Sequence, residues 1–126
     1  MTWPSPASLL RHQPPALLLE EIVARDETTL HCRGATRDWP WPSVLEACAQ
    51  TAGLLAGMRA DGPDDRALIA EYRDVTVHAP TYAGPACFEA RFDRRIFGFF
   101  RYAISAHGAD DQLLLAGLVT LAPITD

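Results

Sequence analysis

The sequence predicts an α+β fold in which an antiparallel sheet wraps around one long central helix. Residues 43–60, SVLEACAQTAGLLAGMRA, form the strongest helical segment, and only Glu46, Gln50 and Thr51 are polar in its apolar stretch. A helix that is apolar nearly all round must be buried nearly all round. The rest of the chain consists mainly of strand-like segments separated by turn residues. The layer that buries the helix must therefore be a sheet.

The ends of this helix carry ordinary start and stop signals. Ser43 is a good N-cap and follows Pro42, and the run Asp61-Gly62-Pro63 ends the helical pattern. Ser43 and Glu46 also match a capping box, in which the glutamate bonds back to the N–H of the cap residue. A purely structural role for Glu46 is therefore one of the open alternatives.

Two strands are predicted before the helix and four after it. The first two are residues 16–24 and 28–34, with a turn at 25–27. Segment 35–42, ATRDWPWP, is predicted to be a loop because its two prolines disfavour regular structure. The later strands are predicted at 67–78, 86–95, 97–107 and 112–122. The order β-β-α-β-β-β-β, with long strands around an enclosed helix, is that of the hotdog fold.

Length and composition limit the functional classes. A chain of 126 residues has the size of a single domain, 1–126, in which the proline-rich residues 1–15 are expected to form an extended arm. The net charge is −5 and all eleven basic residues are Arg, so general nucleic-acid binding is not expected.

The sequence carries no sign of a cofactor, an export signal or a membrane anchor. Three cysteines at no metal spacing are expected to be free thiols in a reducing cytosol. No zinc, nucleotide or nucleophile-elbow motif occurs, so we expect no cofactor and no metal. The first residues do not resemble a signal peptide, and no apolar run approaches the length of a membrane span. A cytoplasmic protein without membrane contact is the expectation.

Two stretches resemble a known family. Residues 10–20, LRHQPPALLLE, are similar to an opening motif L-P-H-R-x-P-x-L-L-[LV]-D, and residues 44–50, VLEACAQ, to a helix motif V-L-x-x-E-A-x-A-Q. Residues 94–102 give a looser third match to a basic strand start that contains Gly. The chain thus resembles the FabZ-like hotdog family of 3-hydroxyacyl-[acyl-carrier-protein] dehydratases, and above all its short members from aryl-polyene-type clusters.

The resemblance implies a catalytic carboxylate, but this chain departs from the family at the position of the catalytic base. In the family, a loop His removes the α-proton and the helix Glu handles the β-hydroxyl that leaves as water. Glu46 takes the Glu role, but Thr36 or a neighbour stands where the His is expected. His12 in the arm and His31 at a strand end remain as weak candidates. The family also holds the thioester oxygen with backbone N–H groups beside the helix start, which Pro40 and Pro42 cannot supply.

The resemblance also suggests where a substrate and its carrier would bind. Gln50 and Gly53 share a helix face with Glu46 and are candidate substrate contacts, although Gln50 is also suited to bonding the backbone. Trp39 and Trp41 flank Pro40 and are expected to close or plug the pocket, or to contact a second subunit.

A cluster of arginines is the candidate carrier-binding surface. It comprises Arg94, Arg95 and Arg101 on two neighbouring predicted strands, and it would attract an acidic acyl carrier protein. A solvated hairpin end with local salt bridges is the structural alternative.

Three functions stay open at this level. The first is a dehydratase-like protein that acts on or binds 3-hydroxyacyl thioesters of acyl carrier protein or coenzyme A. The second is a non-catalytic hotdog subunit or acyl-binding module that pairs with an active homologue, and the third is a thioesterase. In each case a dimer is expected, homomeric or heteromeric, because a lone hotdog sheet leaves a long strand edge unpaired.

Overall fold

A computed structural model describes residues 18–58 and 68–122, and in it one α-helix packs on one antiparallel sheet of six strands. The elements are β1 (Glu21–Arg25), β2 (Thr29–Pro40), α1 (Trp41–Met58), β3 (Leu68–Val77), β4 (Thr81–Ile96), β5 (Phe99–His107) and β6 (Leu113–Ala122), with a 3-10 turn at Ala109–Asp111. The strands lie in the order β1-β2-β4-β5-β6-β3. The predicted arrangement of one helix on an antiparallel sheet is confirmed. Residues 1–17, where the extended arm is predicted, lie outside the described part of the chain.

Strict alternation along the strands places the core on one face of the sheet. On β2, Leu30 and Cys32 are fully buried while Arg33 between Cys32 and Gly34 is exposed. Phe88 and Tyr102 on the next two strands are also fully buried. The helix packs mainly on β4 and β2 and less on β5 and β6, so β3 lies beyond its main contact surface. Most helix positions are buried, as the all-round apolarity of the segment predicts.

The predicted loop at 35–42 is wrong, because β2 continues to Pro40 and α1 begins at the next residue. Pro40 pairs with Thr81 of β4. On its other side, β2 pairs with β1 only as far as Arg33, so the missing proline N–H costs no ladder bond there. A bulge between Thr36 and Trp39 also accommodates the segment.

The helix starts two residues before the predicted cap. Ser43 therefore lies within the first turn of α1 rather than at its N-cap. Pro42 is tolerated because the first turn of a helix does not use its own N–H groups. The N–H of Trp41 donates to the carbonyl oxygen of Pro80 at 2.9 Å, a contact between distant residues that no local signal contains. The predicted end of the helix at 59–60 and the stop signal at 61–63 lie outside the described residues.

The other boundaries shift by a few residues. The turn between β1 and β2 is built by the Asp26 carboxylate, which accepts hydrogen bonds from the N–H groups of Thr28 and Thr29, each at 2.8 Å. Phe97 was expected in a strand, but it lies in the β4–β5 turn with φ 48° and is followed by Gly98 with φ 87°. Two consecutive positive φ angles are typical of the tight turn that joins two antiparallel strands.

Candidate functional site

Glu46 lies on α1 with its side chain half-buried, and a hydrogen-bonded neighbour orients it. Gln50, one turn later, is only 3% exposed. Its Oε1 accepts from the N–H of Leu18 at 3.0 Å, and its Nε2 donates to Glu46 Oε1 at 3.5 Å. Because the Leu18 N–H can only donate, the amide must turn its oxygen towards Leu18 and its nitrogen towards Glu46. Gln50 thus links the residues before β1 to the candidate carboxylate.

The helix face that carries Glu46 becomes less buried towards the C-terminal end of α1. Gly53 is half-buried and Gly57 is exposed, whereas the residues between them are buried. Close helix–sheet packing therefore does not explain Gly57. Substrate contact by Gln50 and Gly53 remains a prediction. The hydrogen bond that Gln50 accepts from the Leu18 backbone agrees with the alternative, structural role of this residue.

Tyr72 is a phenol on the edge strand β3 that the sequence interpretation did not single out. It lies in register with the buried Val119, half-buried and packed against the core. Burial, and to a smaller extent the negative charge of Glu46, raises the pKa of the Tyr72 phenol to about 12. The phenol therefore keeps its proton at neutral pH. The only sequence signal was a Tyr in an alternating strand, which is ordinary for a core residue.

Thr36 occupies the place where the family resemblance puts a catalytic His. Its side chain is 5% exposed, and its hydroxyl donates to the carbonyl oxygen of Gly84 at 2.9 Å. This hydroxyl is used inside the sheet, between β2 and β4. Thr36 can neither act as a base at neutral pH nor turn towards Glu46 without breaking that bond.

Of the two weak His candidates, only His31 lies in the described part of the chain, and it is not brought together with Glu46. His31 lies on β2 between the buried Leu30 and Cys32, so its side chain points to the opposite face of the sheet. Within one subunit it cannot contact Glu46. His12 lies outside the described residues, and its candidacy stays a prediction.

The two tryptophans have different positions. Trp39 packs against the core and stacks on Phe88, with ring centroids 6.3 Å apart and planes inclined by 17°. Trp41, the first residue of α1, is 39% exposed. Trp39 fills space beside the helix start, while Trp41 presents an aromatic surface. Their predicted roles as substrate contacts stay a prediction.

The start of α1 offers few hydrogen-bond donors to a ligand. The first N–H groups of a helix usually have no partner within the helix and can hold an anion or a developing oxyanion. Here Pro40 and Pro42 have no N–H, and that of Trp41 is bonded to Pro80. The site therefore lacks donors at three consecutive positions.

The three candidate carrier-binding arginines do not form one patch. Arg94 and Arg101 are in register on the outer face of the sheet, and Arg94 forms a salt bridge with Asp93 at 3.3 Å. Arg95 lies over the ring of the buried Phe100, 4.9 Å from its centroid. Arg101 lines an outer groove of about 320 Å³ together with Glu71 and other residues. Carrier binding by this group stays a prediction.

Titratable groups elsewhere in the described residues are not arranged as a metal or nucleophile site. Among residues 18–58 and 68–122, no cluster of His, Cys, Asp and Glu has the arrangement of a metal site. Cys32 and Cys48 are buried free thiols, and burial raises the pKa of Cys32 to about 12. In the described part of the chain, no helix has the length and apolarity required to cross a membrane.

Comparison with solved structures establishes the hotdog fold. The chain is similar to a subunit of the dehydratase heterocomplex ApeI:P from Xenorhabdus doucetiae, with a TM-score of 0.84 and 15% identity over 98% of this chain and 93% of that one. It is also similar to AziG from S. sahachiroi, with a TM-score of 0.67 and 14% identity over 84% and 91% of the two chains. Thioesterase HI1161 from Haemophilus influenzae matches with a TM-score of 0.66 and 11% identity over 80% and 75%.

These neighbours are hotdog proteins that include both dehydratases and thioesterases. No protein-family model matches the chain, and no curated protein matches it significantly. The structural neighbours confirm the predicted hotdog fold.

Proposed function

We propose that this protein is a dehydratase-like hotdog subunit that binds 3-hydroxyacyl thioesters and supplies Glu46 to a site completed by a second hotdog subunit. The second subunit contributes the base, a role that neither Thr36 nor His31 of the described residues can fill beside Glu46. The substrate is carried on an acyl carrier protein. Of the three functions open at the sequence level, this one combines the first two.

The observation that carries the proposal is the direct junction of β2 and α1. The family's catalytic His belongs to a loop before the helix, but here the strand passes into the helix between Pro40 and Trp41. Thr36 is bonded to Gly84, and His31 faces the other side of the sheet. Within one subunit, neither Thr36 nor His31 can therefore remove a proton from a substrate carbon beside Glu46. A carboxylate that Gln50 orients, without either of these candidates as its base, suits half of a composite site.

The reaction divides naturally between two groups. The base on the second subunit takes the proton from the α-carbon of the thioester, and the electron pair forms the new α,β double bond. The β-carbon–oxygen bond breaks, and Glu46, which enters this step as the neutral acid, donates its proton so that the hydroxyl leaves as water. Gln50 donates to one oxygen of the Glu46 carboxyl group at 3.5 Å and orients it.

The unpaired edge of β3 is the proposed contact with the second subunit. β3 lies at one end of the sheet, is ten residues long, and exposes Ile69 and Val77 by 42% and 36%. A long edge with apolar residues readily pairs with another strand. The opposite edge, β1, has only five residues. The neighbouring dehydratase, by its description, is itself a heterocomplex.

The test compares the chain alone with the complex purified from cells of the source organism through a tag on this chain. Each sample is given a 3-hydroxyacyl carrier protein, and the 2-enoyl product is measured by mass spectrometry. We expect no turnover by the chain alone and turnover by the complex. In the complex, Glu46→Gln should lower the rate by about 100-fold or more, as expected for loss of a general acid.

Glu71→Gln is the matched control, because it removes the same charge from the outer face of the sheet, where Glu71 pairs with Arg73. It should leave the rate unchanged. Turnover by the chain alone would contradict the composite site. Equal rates for the complex with and without Glu46→Gln would remove Glu46 from the reaction.

Thioester hydrolysis is the second candidate, and the structural likeness to thioesterase HI1161 supports it. In that case Glu46 would activate a water molecule towards the thioester carbonyl. Release of free thiol from an acyl-coenzyme A, abolished by Glu46→Gln, would favour this function over dehydration. The higher TM-score of the dehydratase and the scarcity of N–H donors at the helix start favour dehydration.

A further inference from the structure

A groove crosses the outer face of the sheet, on the side away from α1. Its volume is about 320 Å³, at the lower end of the range of small-ligand pockets, and its lining side chains come from the four adjacent strands β4, β5, β6 and β3. Arg101 on β5 lies between the buried Phe100 and Tyr102, so its side chain points to this outer face. The groove is therefore separate from the helix that carries Glu46.

Arg101 is the polar centre of this groove. It is in register with Thr120 on β6, which is in register with Glu71 on β3. Glu71 is already engaged in a salt bridge with Arg73, at 3.3 Å. The Nε of Arg101 is buried and has no hydrogen-bond partner in the described part of the chain. Because a buried donor without an acceptor is costly, this guanidinium suits a ligand that brings an acceptor.

The other part of the groove is apolar. Ile96 and Phe99 are in register next to the β4–β5 turn, and both line the groove on the same side of the sheet as Arg101. Phe99 is 42% exposed although it is a large aromatic residue. A ligand that covers these two side chains removes apolar surface from water. The groove thus combines one guanidinium that lacks an acceptor with an adjoining apolar wall.

We propose that this groove binds a small monocarboxylate with an apolar body. The carboxylate bonds the guanidinium of Arg101, and the apolar body lies against Ile96 and Phe99. The planar fork of arginine donors matches the two oxygens of a carboxylate. The Thr120 hydroxyl lines the groove on the neighbouring strand and can donate to the same anion.

The charges in the groove favour a single carboxylate over a more highly charged anion. Arg73 and Arg101 contribute two positive charges and Glu71 one negative charge, so the lining carries a net charge of +1. A phosphate dianion would leave this charge over-compensated and would lie close to the Glu71 carboxylate. The inference does not rest on the proposed function, because the groove and Glu46 lie on different sides of the sheet.

The experiment observes the Arg101 guanidinium directly. The full ¹⁵N-labelled chain is titrated with octanoate at mildly acidic pH, and the Nε–H resonances of the arginines are followed by ¹H–¹⁵N NMR. We expect the Arg101 Nε–H, assigned by its absence in Arg101→Gln, to shift in a saturable way. Two further probes divide the ligand into its parts: 1-octanol lacks the charge and inorganic phosphate lacks the apolar body. Each should bind at least about tenfold more weakly than octanoate.

The matched control is Arg94→Gln, which removes a positive charge in register with Arg101 from a residue that pairs with Asp93 and does not line the groove. Arg101→Gln should weaken octanoate binding about tenfold, and Arg94→Gln should leave it within about twofold of the wild type. Equal weakening by both variants overturns the proposal, because binding then follows only the overall charge.

The wild-type titrations are decisive without any variant. Octanol or phosphate that binds as tightly as octanoate overturns the proposed ligand class. Octanoate that shifts backbone resonances of α1 but leaves the Arg101 Nε–H unchanged overturns the site itself. None of these outcomes bears on Glu46 in dehydration, which is tested separately by turnover in the complex.

Discussion

Glu46 is held in place by a short chain of hydrogen bonds. Gln50 donates to it from the next turn of the helix and itself accepts a hydrogen bond from the Leu18 N–H before β1. Apolar positions around the helix determine that the segment is buried. These few polar contacts determine which of its faces can hold a ligand.

Loss of the Gln50 amide should affect stability more than loss of a comparable buried polar group. Gln50→Leu leaves the Leu18 N–H without its acceptor, so we expect the free energy of unfolding to fall by about 2 kcal/mol in urea denaturation. Amide exchange at Leu18 should become faster. As a control, Thr51→Val removes a buried hydroxyl that donates to the Ala47 carbonyl of its own helix and also bonds the Cys32 thiol, at a cost below about 1 kcal/mol. Equal costs for both variants would contradict the linking role of Gln50.

Buried thiols should make the protein less stable at alkaline pH. Burial raises the pKa of Cys32 from 9.0 to about 12. Below pH 9 the thiol is protonated in both states. Between pH 9 and 12 the unfolded chain loses this proton first, so the free energy of unfolding should fall by up to about 1.4 kcal/mol per pH unit for this group. The pKa of Cys48 is raised in the same direction for the same reason.

The check is the slope of unfolding free energy against pH from 8 to 10.5. Cys32→Ala should have a shallower slope than the wild type. The half-buried Cys87 is the control, and Cys87→Ala should change the slope less. Identical slopes in all three proteins would show that thiol ionisation does not contribute.

At the scale of single elements, the junction of β2 and α1 determines how the site is built. Pairing of Pro40 with Thr81 and the bond from Trp41 to Pro80 extend the strand until it meets the helix. A residue in this segment is therefore held by the sheet and not carried on a free loop. This is the physical reason why Thr36 lies in the β2–β4 ladder.

The β4–β5 turn contains a strained residue that can be improved. Phe97 has φ 48° and is 98% exposed, so it gains no packing in return for its conformation. Asn adopts this region more readily and is favoured before Gly in such turns. Phe97→Asn should raise the free energy of unfolding by about 1 kcal/mol.

Phe99→Asn provides the comparison. Phe99 is a strand residue that is 42% exposed, and its φ angle is not positive. That variant should be less stable than the wild type, as measured by thermal or urea denaturation. A loss of stability in Phe97→Asn would show that backbone strain at Phe97 does not lower the stability of the protein.

At the scale of the whole molecule, the two sheet edges are unequal. The long edge strand β3 carries exposed apolar residues beside Tyr72, and the short edge β1 has Val23 exposed by 49%. The long edge of β3 is therefore the better candidate for pairing with a second subunit.

A charge on the pairing edge should weaken association. Ile69→Lys places a lysine on β3, where it opposes strand pairing, and should raise the dissociation constant of the complex by at least about tenfold. Val23→Lys makes the same change on β1 and should not. Sedimentation velocity of the purified complex distinguishes the two variants. Dissociation by Val23→Lys but not by Ile69→Lys would place the interface at the opposite edge.

Much of the fold follows from local sequence patterns. The all-round apolarity of residues 44–58 requires a wrapped helix, and alternation such as Leu30-His31-Cys32-Arg33 requires strands with one buried face. These patterns depend on neighbours along the chain, so the sequence alone determined a hotdog fold with Glu46 on its helix. The sequence also shows that no His lies between Cys32 and Glu46, where the family resemblance expects one.

Only the tertiary structure decided how residues around Glu46 are used. The proline segment became strand because β4 supplied a partner for Pro40, and Gln50 turned its oxygen to a backbone N–H 32 positions earlier. Each of these contacts joins residues far apart in the chain, where periodicity and turn propensity carry no information.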